Sequence, residues 1–201
     1  MPTAARGCAA GEILHELVLA GLDGKGPAMW RDGRLVLLLR PEKPGCWRPI
    51  TLVEVVRRVT SKLAIADPRM QEVVKDLEAH GQQGVGVPGG AERLAGLAFH
   101  LSELATRQGV QVEVATLDLT NAFNTVERNA VIRAVARRAP FLLKYVVSIL
   151  GEPSRLRVVG AERAGEILEV WRGTAQGDPL SPLLFSLVLR DVADRALRRT
   201  L

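Results

Sequence analysis

Residues 115–126 read ATLDLTNAFNTV and set one carboxylate, Asp118, between two leucines at the end of an apolar run. From Val110 to Leu119 the side chains alternate with a period of two, which predicts a β-strand. The second half of this run is apolar on both faces, which is typical of a central strand buried on both sides. A carboxylate in such a strand is costly unless a partner compensates its charge.

Two interpretations of Asp118 follow from its position. The structural one is a buried salt bridge to an arginine, or an N-cap that bonds the backbone of the next turn. The functional one is a metal ligand at the edge of a sheet, because hard cations prefer carboxylate oxygens. The spacing of the residues alone leaves both open.

The composition is that of an ordinary globular protein. The 201 residues are 47% hydrophobic, enough for one substantial core or two small ones. A formal charge of +5 suits a polyanionic partner without proving one. Cys8 and Cys46 are far apart and the three histidines are scattered, so neither a zinc motif nor a disulfide framework is indicated. No apolar stretch approaches the roughly 20 residues of a membrane span, and we expect an intracellular protein without a membrane partner.

The periodicity predicts helices alternating irregularly with a few strands, which favours an α+β fold. Helices are predicted at 11–20, from about 52, at 68–79, along the stripe Leu94, Leu97, Leu101 and Leu104, at 127–150 with a break at Pro140, and at 181–201. Strands are predicted at 35–39, at 110–119 and as a pair within 154–172.

The second helix carries the sharpest local predictions. Thr51 to Glu54 forms a T-x-x-E capping box that would start it at about Leu52. Its apolar spacing places Leu52, Val55, Val56, Val59 and Leu63 toward the core and Arg57, Arg58 and Lys62 on a basic outer face. Further along, Gly84, Gly86 and Gly89 fit a dinucleotide fingerprint, but a helix precedes them, so a Gly-rich connector is the better interpretation.

Four segments resemble those of reverse transcriptases of non-LTR retrotransposons and group II introns. LDLTNAFNTV (117–126) is similar to the family's L-D-L-S-K-A-F-D-T-V segment, and GTAQGDPLSPLLFSLVL (173–189) to its P-Q-G-x-P-L-S-P-L-L-F segment. CWRPITLVEVVRRVTSKL (46–63) resembles the Y-R-P-I-S-L segment, and QQGVGVPGGAERLA (82–95) the Q-x-G-F-x-x-G-x-S segment. The four follow one another in the family's order.

The resemblance implies the fingers and partial palm of a right-handed polymerase, with a small antiparallel sheet packed on helices. Residues 1–32 would be an N-terminal extension or the start of the fingers, 33–109 the fingers, and 110–201 the partial palm. The implied partners are an RNA template, a DNA primer and deoxynucleoside triphosphates, met in the cytoplasm, the nucleus or both. The sequence does not define an oligomeric state.

The resemblance also assigns site residues. Asp118 and the backbone carbonyl of Leu119 would bind Mg²⁺, and Phe123 would exclude a 2′-hydroxyl from the sugar pocket. The remaining assignments are contacts to the incoming nucleotide, made by Lys43, Arg48, Gln176 and Gly177. Taken without the resemblance, Phe123 fits a core position, the two cations fit solvated surface charges, and the Gln-Gly pair fits a turn before a helix.

One departure from the family limits these assignments. The family's active site requires an (F/Y)-x-D-D hairpin, and no Asp-Asp pair occurs in the 201 residues. A metal pair held by a single carboxylate would be weakly bound. We therefore interpret the sequence as a reverse-transcriptase fragment that is inactive by itself, with a non-catalytic RNA- or DNA-binding remnant as the alternative.

Overall fold

A computed structural model describes residues 9–41, 45–114, 116–160 and 163–200. The helices are α1 (Ala9–Leu22), α2 (Val55–Ile65), α3 (Met70–Ala79), α4 (Gly90–Gln108), α5 (Ala122–Thr125), α6 (Arg128–Arg138), α7 (Leu143–Leu150) and α8 (Ser181–Thr200), with 3₁₀ turns at Ala28–Arg31 and Pro140–Leu142. The strands are β1 (Gly33–Leu39), β2 (Trp47–Val53), β3 (Ser154–Val159) and β4 (Ile167–Val170). No helix in the described part of the chain is both long and apolar enough to cross a membrane.

The four strands form one small sheet in the order β2-β1-β3-β4. The two hairpins, β1 with β2 and β3 with β4, are antiparallel, and the central pair of β1 and β3 is parallel. β3 alternates between buried and exposed side chains along its whole length. One face of the sheet therefore packs on the helices and the other faces solvent.

The core lies among the helices. Leu77 of α3, Val131 and Val135 of α6, Tyr145 of α7 and Leu187 of α8 are fully buried there. Helix α6 runs against α8 and α7, and Pro140 begins the 3₁₀ turn that joins α6 to α7. This confirms the predicted break in the helical region 127–150, since proline favours the first turn of a new helix. The α+β class with a small sheet packed on helices is also confirmed. The sheet is mixed, however, because β1 and β3 run parallel, so the expectation of an antiparallel sheet is wrong.

The predicted capping box is wrong, and the predicted orientation of α2 is wrong in part: Arg58 and Lys62 are exposed and Val56 packs on the core as expected, but Arg57 is buried. Thr51 lies in β2, and Glu54 is the N-cap whose carboxylate accepts a hydrogen bond from the Val56 amide at 2.6 Å. The buried side of α2 consists of Arg57, Thr60, Ser61 and Ala64, whereas Val55 and Leu63 are exposed. The polar side chains are buried because each has a hydrogen-bond partner inside, which apolar periodicity does not register.

The predicted buried strand at 110–119 is also wrong. Its described residues have no regular secondary structure and are exposed, Val114 at 78% and Leu117 at 95%. A strand that is apolar on both faces needs neighbours along both edges. No strand in the described part of the chain lies beside it. The valines of this segment instead line an open groove of about 450 Å³ together with Leu94, Leu97 and Leu101 of α4.

Candidate functional site

The loop at 173–180 packs against the short helix α5 through its backbone. The amide of Thr174 donates to the carbonyl oxygen of Phe123, and the amide of Gly173 to that of Val126, both at 2.7 Å. A Cβ atom on Gly173 would lie 2.6 Å from the carbonyl oxygen of Asn124. The glycine is required because the two backbones touch, and this contact joins two of the segments that resemble the family.

The same loop also contacts the sheet. The amide of Thr51 in β2 donates to the carbonyl oxygen of Gln176 at 2.8 Å. Gly177 has a φ of +128° and passes so close to β2 that a Cβ atom would lie 2.6 Å from the Thr51 carbonyl oxygen. The Asn124 amide reaches Gln176 Oε1 at 3.4 Å. Residues from α5, β2 and the 173–180 loop therefore meet at one place.

Phe123 is half-buried at this junction. Its ring packs against Phe185 of α8 with the centroids 5.4 Å apart and the planes inclined at 57°. Asn121, which precedes α5, has a φ of 51°, a left-handed conformation that asparagine tolerates better than most residues. This turn sets the direction in which the chain carries Phe123 toward α8.

A buried ion pair holds the loop in place. Both Nε and Nη2 of Arg57 lie 2.8 Å from Oδ2 of Asp178, and the two side chains are 3% and 2% exposed. Arg57 Nη1 also donates to the carbonyl oxygen of Trp30 at 2.6 Å, and Asp178 Oδ1 accepts from the Leu180 amide at 3.0 Å. Both charged groups are therefore paired and further hydrogen-bonded, as burial requires.

Tyr145 completes this buried polar network. Its hydroxyl lies 2.8 Å from Ser61 Oγ and donates to the Arg57 carbonyl oxygen at 3.1 Å. Burial, assisted by the nearby negative charge of Asp178, raises the pKa of Tyr145 to about 12. The phenol is consequently neutral at physiological pH.

The two predicted fingers cations do not join this cluster. Arg48 is exposed in β2, three residues from Thr51, and strand alternation places it on the opposite face of the sheet. Its Cα partner in β1 is Leu38. Lys43 lies outside the described residues.

Asp118 and Leu119 are exposed in the irregular segment before α5. The described part of the chain contains no ion pair to Asp118, so the structural interpretation as a buried salt bridge is wrong. Nor does it contain any group of three acidic, histidine or cysteine residues placed to hold a metal. One exposed carboxylate does not make a stable site for a hard divalent cation, which takes six or more oxygen ligands. The residues present therefore do not fit the implied metal.

Sequence reasoning missed three of the side chains at this site. The matched segments contain Asn124, Arg57 and Asp178, but no site role was assigned to them, because none belongs to a recognisable ligand pattern. A usable signal for Arg57 was the run of small or polar residues at Thr60, Ser61 and Ala64, which lie on the same side of α2. The hydroxyl groups on this side of α2 need polar partners when they are buried.

Comparison with known sequences agrees with this arrangement. The sequence model of the family described as reverse transcriptase (RNA-dependent DNA polymerase) matches residues 40–200, which include α5, β2 and the 173–180 loop. The chain belongs to the reverse transcriptase family. Within it, the chain is of the non-LTR retrotransposon type, as its relatives indicate.

Those relatives are retrovirus-related Pol polyproteins from the type-1 retrotransposable element R2. The protein of Nasonia vitripennis is 29% identical over 182 residues, covering 88% of this chain and 17% of the relative. A protein of Popillia japonica is 29% identical over 182 residues, covering 85% of this chain and 24% of the relative. One from Bradysia coprophila is 26% identical over 175 residues, 82% of this chain and 19% of the relative. The chain thus spans between 17% and 24% of the length of these polyproteins.

Proposed function

We propose that this chain is the nucleotide-facing part of a retrotransposon reverse transcriptase, acting on an RNA template, a DNA primer and deoxynucleoside triphosphates. The observation that carries the proposal is the meeting of α5, β2 and the 173–180 loop. These are three of the four segments that resemble the family, and direct backbone hydrogen bonds connect them. Segments that resembled the family only by chance would have no reason to be in contact with one another.

In this proposal the junction forms the floor on which the incoming nucleotide lies. Phe123 would contact the sugar of the nucleotide. Because its ring packs on Phe185, it would have little room to move aside for a 2′-hydroxyl. Gln176 and Gly177 would lie along the nucleotide and template, where a glycine lets the backbone approach closely. Arg48 would contact the triphosphate from the exposed side of the fingers, because a guanidinium suits paired phosphate oxygens. The family resemblance alone assigns Lys43 to the same contact.

We further propose that the chain by itself does not polymerise nucleotides. In the family, nucleotide addition uses Mg²⁺, to which Asp118 and the backbone carbonyl of Leu119 would contribute oxygen ligands. Because Asp118 is the one carboxylate assigned to the metal and the described residues hold no cluster of metal-binding side chains, the metal-dependent step needs acidic ligands beyond them. The role of this chain's own residues is to bind and orient the nucleotide and the nucleic acid.

Primer extension tests both claims. The purified chain, given Mg²⁺, an RNA template, a DNA primer and the four deoxynucleotides, should show no extension; robust synthesis would disprove the inactivity. The same chain extended through the family's (F/Y)-x-D-D hairpin should synthesise DNA. In that longer protein Asp118→Ala should abolish synthesis and leave the fold intact, and Phe123→Ala should increase the use of ribonucleotides relative to deoxynucleotides.

The alternative is a non-catalytic nucleic-acid-binding remnant, favoured by the exposure of Asp118. Binding of an RNA–DNA duplex that weakens steeply with salt and does not respond to Mg²⁺ would support it, since such binding releases counterions from phosphates. The extended protein separates the two functions. Only the polymerase interpretation predicts synthesis there.

A further inference from the structure

A small cavity of about 40 Å³ lies beneath the 173–180 loop, between that loop, the sheet and the start of α6. Four arginines line it, Arg31, Arg57, Arg128 and Arg172. Its other described lining residues are neutral, and they include the hydroxyl groups of Thr51 and Thr174. We call it the arginine cavity.

The positive charge around the arginine cavity is only partly compensated. Arg57 is paired with Asp178, and Arg172 reaches the exposed Glu127 at 2.9 Å. Arg128 is 8% exposed, and no carboxylate in the described part of the chain pairs with it. A buried cation without a counter-charge is strongly unfavourable.

The hydrogen bonds of Arg128 go to neutral oxygens alone. Nε donates to the Gly173 carbonyl at 3.1 Å, Nη1 to the Glu152 carbonyl at 2.6 Å and Nη2 to Ser154 Oγ at 2.9 Å. A guanidinium has five N–H donors, so these bonds leave some of its capacity unused. Burial, and to a smaller extent the charge of Arg57, lower the pKa of Arg128 to about 10, at which it is still cationic at neutral pH.

The size of the cavity selects the ligand. A volume of 40 Å³ admits one or two particles the size of a water molecule. A whole nucleotide, with its sugar and base, exceeds this volume. A halide has nearly the size of water, carries the missing negative charge, and accepts N–H and O–H donors of the kinds that line the walls.

We propose that the arginine cavity binds one small monovalent anion, chloride in ordinary buffers, against Arg128. The anion neutralises the buried guanidinium and ties α6 to the loop, because Arg128 already bonds Gly173 at the loop's start. This site lies beneath the proposed nucleotide floor and does not depend on the proposed polymerase function. Its test measures no synthesis, so either proposal can fail alone.

The experiment compares melting of the purified chain in sodium chloride, bromide and gluconate at constant ionic strength. Chloride and bromide should raise the Tm by a few degrees with a saturating dependence on concentration, because a ligand that binds only the native state stabilises it by mass action. Gluconate is too large for the cavity and sets the baseline. Identical Tm values in all three salts at every concentration would overturn the proposal.

Arg128→Gln tests the assignment to that side chain, since it removes the charge but keeps an N–H donor. The variant should lose the chloride response, and the control Arg155→Gln, on the exposed sheet face, should keep it. An unchanged response in Arg128→Gln would refute the site. Should that variant fail to fold, bromide-soaked crystals of the native chain decide. An anomalous peak in contact with Arg128 supports the proposal, and a water in its place at saturating bromide contradicts it.

Discussion

Arg57 and Asp178 form a buried ion pair across 121 residues of sequence, with two guanidinium nitrogens 2.8 Å from one carboxylate oxygen. One partner lies in α2, directly after β2, and the other in the 173–180 loop. The pair therefore holds together the two segments whose backbones also meet between Thr51 and Gln176. Its integrity decides the shape of the candidate site.

Arg57→Met should destabilise the fold by about 3–5 kcal/mol, because it leaves Asp178 buried without its counter-charge. Urea denaturation measures the change. The matched control is Arg155→Met, which breaks an exposed pair with Asp32 at 3.1 Å and should cost no more than about 1 kcal/mol. Equal effects for the two variants would show that the buried pair contributes no more than the surface one.

Tyr145 is the single tyrosine of the chain, so ultraviolet absorbance of tyrosinate reports on it alone. The midpoint should lie near pH 12 in the native protein and near the ordinary 10.0 in denaturant. Between these values the native state keeps the phenolic proton that the unfolded state loses. The stability that Tyr145 contributes is thus complete below about pH 10 and is lost as the pH rises toward 12.

Tyr145→Phe provides the control for that titration. It should remove the decline in stability that is specific to the pH range 10 to 12, and should cost about 1 kcal/mol at neutral pH through the lost hydrogen bonds. A native midpoint near pH 10 would mean that the phenol is in contact with water.

Gly177→Ala should disrupt the contact between the loop and β2, because both its φ of +128° and the 2.6 Å approach to the Thr51 carbonyl oxygen exclude a side chain. The matched control is Gly160→Ala, with a φ of +75° and open space around it. Gly160→Ala should cost on the order of 1 kcal/mol of backbone strain and Gly177→Ala distinctly more. Denaturant midpoints for the two variants compare them directly, and a smaller loss in Gly177→Ala would contradict the close approach.

The segment before α5 should tolerate change that the core does not. Leu117→Ser should alter the free energy of unfolding by less than about 0.5 kcal/mol, since Leu117 is 95% exposed. Leu184→Ala, at 2% exposure in α8, should cost about 2–5 kcal/mol.

Thermolysin should also cleave native protein first between Val112 and Leu119. Protection of that stretch would show that it is covered in solution.

Local patterns predicted much of the secondary structure, because helix periods and proline or glycine breaks are local properties. Helices α3, α6 and α7 and the β3–β4 pair lie close to their predicted positions. Strand β2 was overlooked because the T-x-x-E pattern from Thr51 near the end of β2 to Glu54 imitates a helix start. Thr51 continues β2 because its amide bonds Gln176 in a loop far along the chain, and such a contact is not a local property.

The candidate site shows the same division. The segments bearing Phe123, Gln176 and Gly177 were recognised from sequence, and the structure brings them together. Asp118 was expected to be buried because its neighbours are apolar, yet apolar alternation cannot tell whether a strand will find partners on both edges. Arg57 was assigned to the surface because it is charged, and hydropathy does not register the buried carboxylate of Asp178 with which it pairs.

The inner side of α2 interacts through directed hydrogen bonds, from Arg57 to Asp178 and from Ser61 to Tyr145, rather than through apolar bulk. Packed leucines tolerate a small rotation of a helix, but these bonds do not. One residue inserted between Val53 and Arg57 would turn the guanidinium away by about 100°, as follows from 3.6 residues per turn. The bonds of α2 thus fix the number of residues between β2 and Arg57. They thereby determine which amide of β2 bonds Gln176.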